Sequence, residues 1–421
     1  MKVLWFTNTP SGASEKIQPT LYLGGWMSSV EEKLVEDERI ELSVCFYWDA
    51  DIAPFEHKRT MYYPIYRKNE GSHLKRFINR VFNRNTDPKD IHKLLEIIDK
   101  VKPDVIHIHG TEKNYGLIQN FTKVPAVLSV QGILLPYTQK FFAGISFIQA
   151  YLHEGLLPKL TFTSIAIVYR EFKYRASRER LILASSKHIL GRTSWDKRIT
   201  RLISPNSEYH VFEDALRPVF YQKQWSKDSF GTPLTIVSVL TEGIYKGLET
   251  VVDSARILKD QGIEVRWTII GLKQNSPMVR IVRNSTRETH SELNISIAGS
   301  QSDVELAEIM LKADIYCHPS HIENSPCSVC EAMLLGMPVV ATHAGGTDTL
   351  FANGQVGILI QDGDPYSMAG AINELKADFE TARRFGIKAR ENALKKHNPH
   401  TIANALIDIY QHVAEQTVTK N

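Results

Sequence analysis

The sequence predicts an α/β fold of two Rossmann-like, doubly wound parallel-sheet domains facing a central cleft. Short β-branched runs alternate with segments of helical period along the whole chain, which is the pattern of parallel sheets covered by helices. At 421 residues the chain also exceeds the roughly 250–300 residues that one hydrophobic core supports, so two cores are expected.

In the first half, strands are predicted at KVLWFTN (2–8), IELSVCFYW (40–48), DVIHIH (104–109), AVLSV (126–130) and KHILGR (187–192), with helical stretches such as IHKLLEIIDKVK (91–102) between them. The alternation restarts at PLTIVSVL (233–240) and continues through EVRWTIIG (264–271), NISIAG (294–299), ADIYCH (313–318), PVVAT (338–342) and GILI (357–360). Between the halves, residues 209–233 lose periodicity and end in Gly and Pro, as a linker does. The expected domains are therefore 1–215 and 226–398. A last segment, 399–421, carries Ile402, Leu406, Ile409 and Val413 on one helical face and is expected to pack back on the first domain. In doubly wound sheets ligands bind beyond the carboxyl ends of the strands, so two such domains offer one ligand site on each wall of a cleft.

Composition is that of a soluble globular protein, 43% hydrophobic and 23% charged, without low-complexity tracts or solenoid repeats. The net charge of +3 conceals an asymmetry: Lys and Arg less Asp and Glu gives 32 − 24 = +8 up to residue 225 and 18 − 23 = −5 beyond it. Much of the positive charge lies in residues 67–89, where Leu74, Phe77, Ile78, Val81 and Phe82 fall at helical spacing among Lys75, Arg76, Arg80 and Arg84. That pattern suits a helix on an anionic membrane surface, and equally a solvated surface helix. The basic residues belong to no nucleic-acid-binding module, so nucleic acid is not an expected partner. No window is apolar for the roughly 18 residues a membrane span needs. The start reads as a buried strand rather than a signal peptide, and the four cysteines, Cys45, Cys317, Cys327 and Cys330, are few. A cytoplasmic location, peripheral at the membrane's inner face, is the expectation.

The stretch HPSHIENSPCSVCEAMLLGMPVV (318–340) carries the chemistry. Ser325-Pro326 reads as a helix start, with Ser325 as cap and Pro326 at the first helical position, and Gly336 as the C-terminal cap. Glu323 then precedes the helix and Glu331 lies inside it. Amides at a helix start form an anion site suited to a diphosphate. The two carboxylates could accept hydrogen bonds from sugar hydroxyls on either side of that diphosphate, which makes a nucleotide-sugar site.

The E-x7-E pair followed by EAMLLGMPVVATHAGG resembles the signature of family 4 glycosyltransferases, retaining enzymes of the GT-B fold. The resemblance extends to GGWMSSVEEKL (24–34), KPDVIHIHG (102–110), ILGRTSWDK (189–197), YHVFEDALRPVFY (209–221), YKGLETVVDSARILK (245–259) and GQVGILIQDGDP (354–365). With HGTE (109–112), VLSVQG (127–132) and ENSPCSVCEAM (323–333), it points to a bacterial branch linked to surface-polysaccharide assembly.

The resemblance implies that Glu323 contacts the donor sugar, Glu331 the ribose, and Lys246 the donor diphosphate, with Asn324, Ser325, Pro326 and Cys327 completing the donor site. A fixed ammonium and backbone amides can replace a metal ion at a leaving diphosphate, so no cofactor or metal is expected. Gly24 and Gly25 match a turn that approaches the diphosphate, where a side chain would block contact. Two positions depart from the family pattern: residues 238–241 read Ser-Val-Leu-Thr where an Arg is usual, with Arg192 as a substitute charge, and Gln131 stands where many members have His. His109, as a catalytic candidate, and Glu112 are the polar groups expected on the first domain. The implied function is transfer of a sugar from a UDP- or GDP-sugar to a glycan or polyprenyl-diphosphate-linked acceptor held by the basic domain. The alternatives are a GT-B nucleotide-sugar epimerase and a non-catalytic nucleotide-sugar-binding subunit.

Rival motifs are weaker. Cys317, His318, His321, Cys327 and Cys330 imitate a zinc set, but a C-x2-C pair in the first turn of a helix lacks the tight knuckle of structural sites. A thioredoxin-like pair belongs after the first strand of a small domain. The DAD at 49–51 is too short to identify a metal-dependent GT-A enzyme, and NTPSG after the first strand is not a dinucleotide fingerprint.

Overall fold

The computed structural model describes residues 1–17, 25–67, 87–286, 290–351 and 356–418. The chain divides into two compact units, one of residues 1–138, 169–216 and 397–421, the other of residues 139–168 and 217–396.

The first unit is built on an eight-stranded sheet. Its strands are β1 (Lys2–Thr7), β2 (Glu41–Trp48), β3 (Phe55–His57), β4 (Thr60–Tyr66), β5 (Val105–His109), β6 (Ala126–Ser129), β7 (His188–Gly191) and β8 (Glu208–Val211), in the order β3-β4-β2-β1-β5-β6-β7-β8. All neighbours pair in parallel except β3 with β4. Alternate residues of β1 feed the two faces, as the pleat requires. Val3 and Trp5 join a core with Val44, Phe46 and Leu406, while Leu4 and Phe6 join another with Cys45, Ile106 and Ile108.

The second unit holds a six-stranded, all-parallel sheet. Here β9 (Leu234–Val239), β10 (Val265–Ile270), β11 (Ile295–Gly299), β12 (Ile315–His318), β13 (Val339–Thr342) and β14 (Ile358–Ile360) run in the order β11-β10-β9-β12-β13-β14. Its core gathers Ile236, Val251, Trp267, Ile315, Cys317 and Val340. The Trp267 indole donates to Ser238 Oγ at 3.0 Å, and Ser238 donates to the Cys317 carbonyl at 2.6 Å, so the polar atoms buried there are paired.

Each strand predicted from sequence is present, and three more appear. β4 contains Pro64, a residue that argues against a central strand. It is tolerated because β3 pairs only with Thr60, Met61 and Tyr62, which leaves β4 an edge at Pro64. β8 falls at the start of the stretch read as a linker.

The division of the chain also differs from the expected 1–215, 226–398 and 399–421. Residues 139–168 belong to the second unit, because Ile145 and Ala150 enter its core with Phe142 and Ile165 packed against it. The second unit resumes at Arg217, ahead of the expected 226. The predicted basic helix at 67–89 falls largely outside the described residues.

The C-terminal helix, Pro399–Val418, covers the first sheet with Ile402, Leu406, Ile407, Tyr410 and Val413, while Ile409 is only partly buried. Its Tyr410 hydroxyl takes the Trp5 indole N–H at 2.8 Å and meets His107 Nδ1 at 2.5 Å, and His107 Nε2 meets Ser129 Oγ at 2.6 Å. Truncating Leu406, which is fully buried, is expected to cost about 2–5 kcal/mol, the range for emptying such a core position. Urea unfolding of Leu406→Ala measures this, and a loss below about 0.5 kcal/mol would contradict the packing described.

Candidate nucleotide-sugar site

In the second unit the predicted residues converge beyond the carboxyl ends of β9, β12 and β13. Lys246 ends a short 3-10 turn, Ile244–Lys246, and Gly247 follows with φ +78°. A β-carbon on Gly247 would stand 2.1 Å from the Pro319 carbonyl oxygen, so only glycine lets this turn close on the loop after β12. The His321 amide donates to the Tyr245 carbonyl at 2.8 Å and fixes the approach. From the other side Gly345, at φ +62°, presses its backbone on Glu323, where a β-carbon would lie 1.9 Å from the Glu323 carbonyl oxygen. The Gly346 amide donates to that same oxygen at 2.9 Å.

The result brings Lys246 Nζ to 2.5 Å from Glu323 Oε1, which also accepts from Ser320 Oγ at 3.1 Å. Burial opposes charge on both groups, but each charge more than compensates the other: Lys246 is held above its ordinary value and Glu323 below. His318 Nε2 lies 3.9 Å from the same carboxylate oxygen, and among the described residues neither ring nitrogen of His318 makes a hydrogen bond. Burial pushes its pKa down to about 4.

Asn324, Ser325, Pro326 and Cys327 lead from Glu323 into the helix Cys327–Leu335. The expected capping is corrected: the helix starts one residue later than read, with Pro326 at the cap position and no side chain capping it. Ser325 Oγ instead lies 3.9 Å from Cys330 Sγ. Gly336 closes the helix in the left-handed conformation, φ +82°, as expected.

Glu331 is buried, and both its oxygens are engaged by a residue that the sequence did not single out. Arg217 Nε and Nη2 each donate at 2.7 Å, while Arg217 Nη1 reaches Asp303 Oδ1 at 2.6 Å. Burial raises the Glu331 carboxyl against the pull of Arg217. A carboxylate has about four lone-pair sites, so this fork leaves Glu331 capacity for a further donor such as a hydroxyl.

The zinc imitation disperses. Cys317 packs in the core, and His321 sits between Glu249 Oε1 at 2.5 Å and Asp362 Oδ2 at 3.5 Å. Asp362 in turn takes Lys140 Nζ at 2.8 Å.

In the first unit the predicted polar residues likewise follow strand ends. His109 ends β5, fully buried, with its ring 4.5 Å from that of Trp5 and 5.9 Å from that of Trp26. Among the described residues neither ring nitrogen has a hydrogen-bond partner, and burial holds the pKa down to about 3, so the imidazole is neutral near pH 7. Glu112 accepts from Asn8 Nδ2 at 2.8 Å, and burial raises its pKa. Gln131 is half-buried just beyond β6. Arg192 lies over the Trp26 ring, donates to the Val130 carbonyl at 3.3 Å and is ion-paired with Asp214. Its charge is thus matched within its own unit rather than left over as a substitute for the family Arg. Gly25 opens the helix Gly25–Leu34 at φ +52°, and among the described residues no atom beyond its chain neighbours and its own helix's backbone lies within 4 Å of where a β-carbon would stand. Gly24 lies outside the described residues.

Comparison with known proteins fits this geometry. Residues 221–392 match the family described as Glycosyl transferases group 1. Over 188 residues the chain is 29% identical to the putative colanic acid biosynthesis glycosyltransferase WcaL of Salmonella typhimurium, a match that covers 43% of this chain and 46% of that protein. The chain spans about half the length of the curated relatives it matches.

Among solved structures, sucrose-phosphate synthase from Thermosynechococcus elongatus superposes with a TM-score of 0.72 at 16% identity, over 98% of this chain and 99% of that one. Anabaena HepE in complex with UDP-glucose gives 0.63 at 16% identity, over the full length of both. The likeness shows the GT-B fold expected from the sequence, and the match to the group 1 family lies within its second unit.

The Arg217 fork makes a quantitative test. Arg217→Met strands a buried carboxylate and is expected to cost about 3–5 kcal/mol. The Arg217→Met/Glu331→Leu double variant should recover most of that loss in urea unfolding. Additive losses would show that the two side chains are not coupled.

Proposed function

We propose that the chain is a retaining glycosyltransferase that moves a sugar from a UDP- or GDP-sugar to a glycan or lipid-linked acceptor in surface-polysaccharide biosynthesis, without a metal at the reacting centre. The observation that carries this reading is the Lys246–Glu323 pair, held at 2.5 Å beside the start of the helix Cys327–Leu335. An incoming diphosphate offers Lys246 more negative charge than one carboxylate does. Exchange of partners frees Glu323 to accept hydrogen bonds from the sugar hydroxyls. Glu331, oriented by Arg217, accepts from the ribose. As the anomeric C–O bond breaks, charge grows on the departing phosphate, where a fixed ammonium stabilises the transition state more than the ground state. The acceptor oxygen bonds to the same face of the anomeric carbon and its proton passes to the leaving phosphate. UDP-glucose in HepE and the polysaccharide role named for WcaL support the donor class and the pathway class.

We also read the protein as peripheral at a membrane. No helix among the described residues is long and apolar enough to cross one. The support comes from the segment 147–160, where two short helices expose Ile148, Leu152, Leu156, Leu157 and Leu160, each at least 64% accessible, next to Lys159. A cluster of that kind is unusual for a surface meeting only water.

Melting temperature should rise with one class of nucleotide sugar when UDP- and GDP-sugars are screened, since a ligand that binds only the folded state stabilises it. Lys246→Ala should lower kcat by about 10²–10³-fold, the scale for removing one charge-stabilising group, while Glu331→Ala should chiefly raise the donor KM. Binding without transfer or donor hydrolysis would favour the non-catalytic reading, and a changed sugar without acceptor would favour an epimerase. In liposome flotation, the protein should float with anionic vesicles and Leu156→Glu/Leu157→Glu should reduce the floating fraction several-fold. Equal flotation of parent and variant would remove the apolar segment from the reading.

A further inference from the structure

The edge of the first sheet carries a group of side chains that the glycosyltransferase reading does not use. In the parallel pair β7–β8, His188 stands opposite Glu208, and His210 lies two residues further along β8 on the same face. The C-terminal helix brings His412 and Gln416, one turn apart on one of its faces, against this group. The ligating atoms of His188, Glu208 and His210 all lie within 4.8 Å of one another. His188 Nδ1 is 3.3 Å from His210 Nε2 and 3.6 Å from Glu208 Oε2, and His210 Nε2 is 4.0 Å from Glu208 Oε1. His412 Nε2 lies 3.0 Å from Glu208 Oε1. A tetrahedral ion with bonds of about 2.0–2.1 Å separates its ligand atoms by about 3.3 Å, so the distances among His188, Glu208 and His210 scatter about the edges of such a tetrahedron, and His412 meets the group through Glu208. The three imidazoles surround one centre, with ring centroids 5.6, 6.0 and 6.4 Å apart.

We propose that His188, Glu208 and His210 bind one divalent transition-metal ion of the zinc class, with His412, beside Glu208, turning in as the fourth ligand. Three imidazoles and one carboxylate form a donor set that suits zinc, copper or nickel better than magnesium or calcium, which take all-oxygen sites. The exposed Glu208 and His412 side chains, beside a His210 that is 12% exposed, give the ion a path in from solvent. The site opens at the amino-terminal ends of β7 and β8, whereas Arg192 follows the carboxyl end of β7, so the ion would be structural rather than catalytic. It would fasten the C-terminal helix to the edge strand. Gln416 Nε2, 3.1 Å from Glu208 Oε2, orients the carboxylate.

The test uses the full-length chain stripped with EDTA, titrated with zinc chloride at pH 7.5 and followed by calorimetry and by metal analysis after dialysis. The parent should take up one equivalent at micromolar zinc, with a rise in melting temperature that EDTA reverses. His210→Ala should lose that equivalent, and His412→Ala should bind at least 10-fold more weakly. His412 is exposed, so metal-free His412→Ala should melt within a few degrees of the metal-free parent; a match there ties weakened binding to the lost ligand rather than to misfolding. No uptake by the parent, or uptake of equal affinity by either variant, would overturn the proposal. The second result would place any bound zinc on other groups, such as the cysteines.

Discussion

The second unit depends on two opposite charges held out of water against each other. An ammonium or carboxylate buried alone costs several kcal/mol, and one partner offsets that cost only in good geometry. For Lys246 and Glu323 the geometry is set by backbone: Gly247 lets one loop close on Pro319 and Gly345 lets another close on Glu323. Neither glycine touches the charged groups. Each removes a side chain that would push the two loops apart, and the pair forms because both loops can pack. A pair preset in this way needs little rearrangement to exchange one anionic partner for another, since the ammonium is already in place.

The two units place their polar groups alike and treat them differently. Both gather them beyond the carboxyl ends of parallel strands, where a doubly wound sheet leaves room. In the second unit they are charged pairs and forks. In the first, His109 and Arg192 are sheathed by Trp5 and Trp26, and Arg192 is neutralised by Asp214. There burial keeps the His109 imidazole neutral, and the Arg192 charge is matched within the unit.

Most of the fold was legible because strands buried on both faces must be continuous apolar runs, and those of the second unit announce themselves one by one. β4 was not, since Pro64 imitates a break, and neither was the exchange of residues 139–168, whose membership is decided by where Ile145 and Ala150 find partners rather than by any local period. In the site, Glu323 was readable from the spacing of the two carboxylates, and Lys246 only from the family resemblance. The Arg217–Glu331 fork spans 114 residues of sequence, and nothing local to Arg217 marks it. His318 was visible only as a supposed metal ligand, because its approach to Glu323 follows from the turn of the loop rather than from its distance in sequence. The cap at Ser325 failed for a similar reason: Ser-Pro is a good start signal, but the backbone turns into the helix only after Pro326.

The path of the chain has a consequence for its synthesis. It passes between the two units four times, and the fourth passage brings it back to the first at residue 397. The hydroxyl that Trp5 and His107 share belongs to Tyr410, made 405 residues after Trp5. The first sheet therefore waits, with one face uncovered, while residues 217–396 of the other unit are translated. Closure of that face awaits the helix Pro399–Val418, so a nascent chain halted before it would expose the apolar face that chaperones recognise.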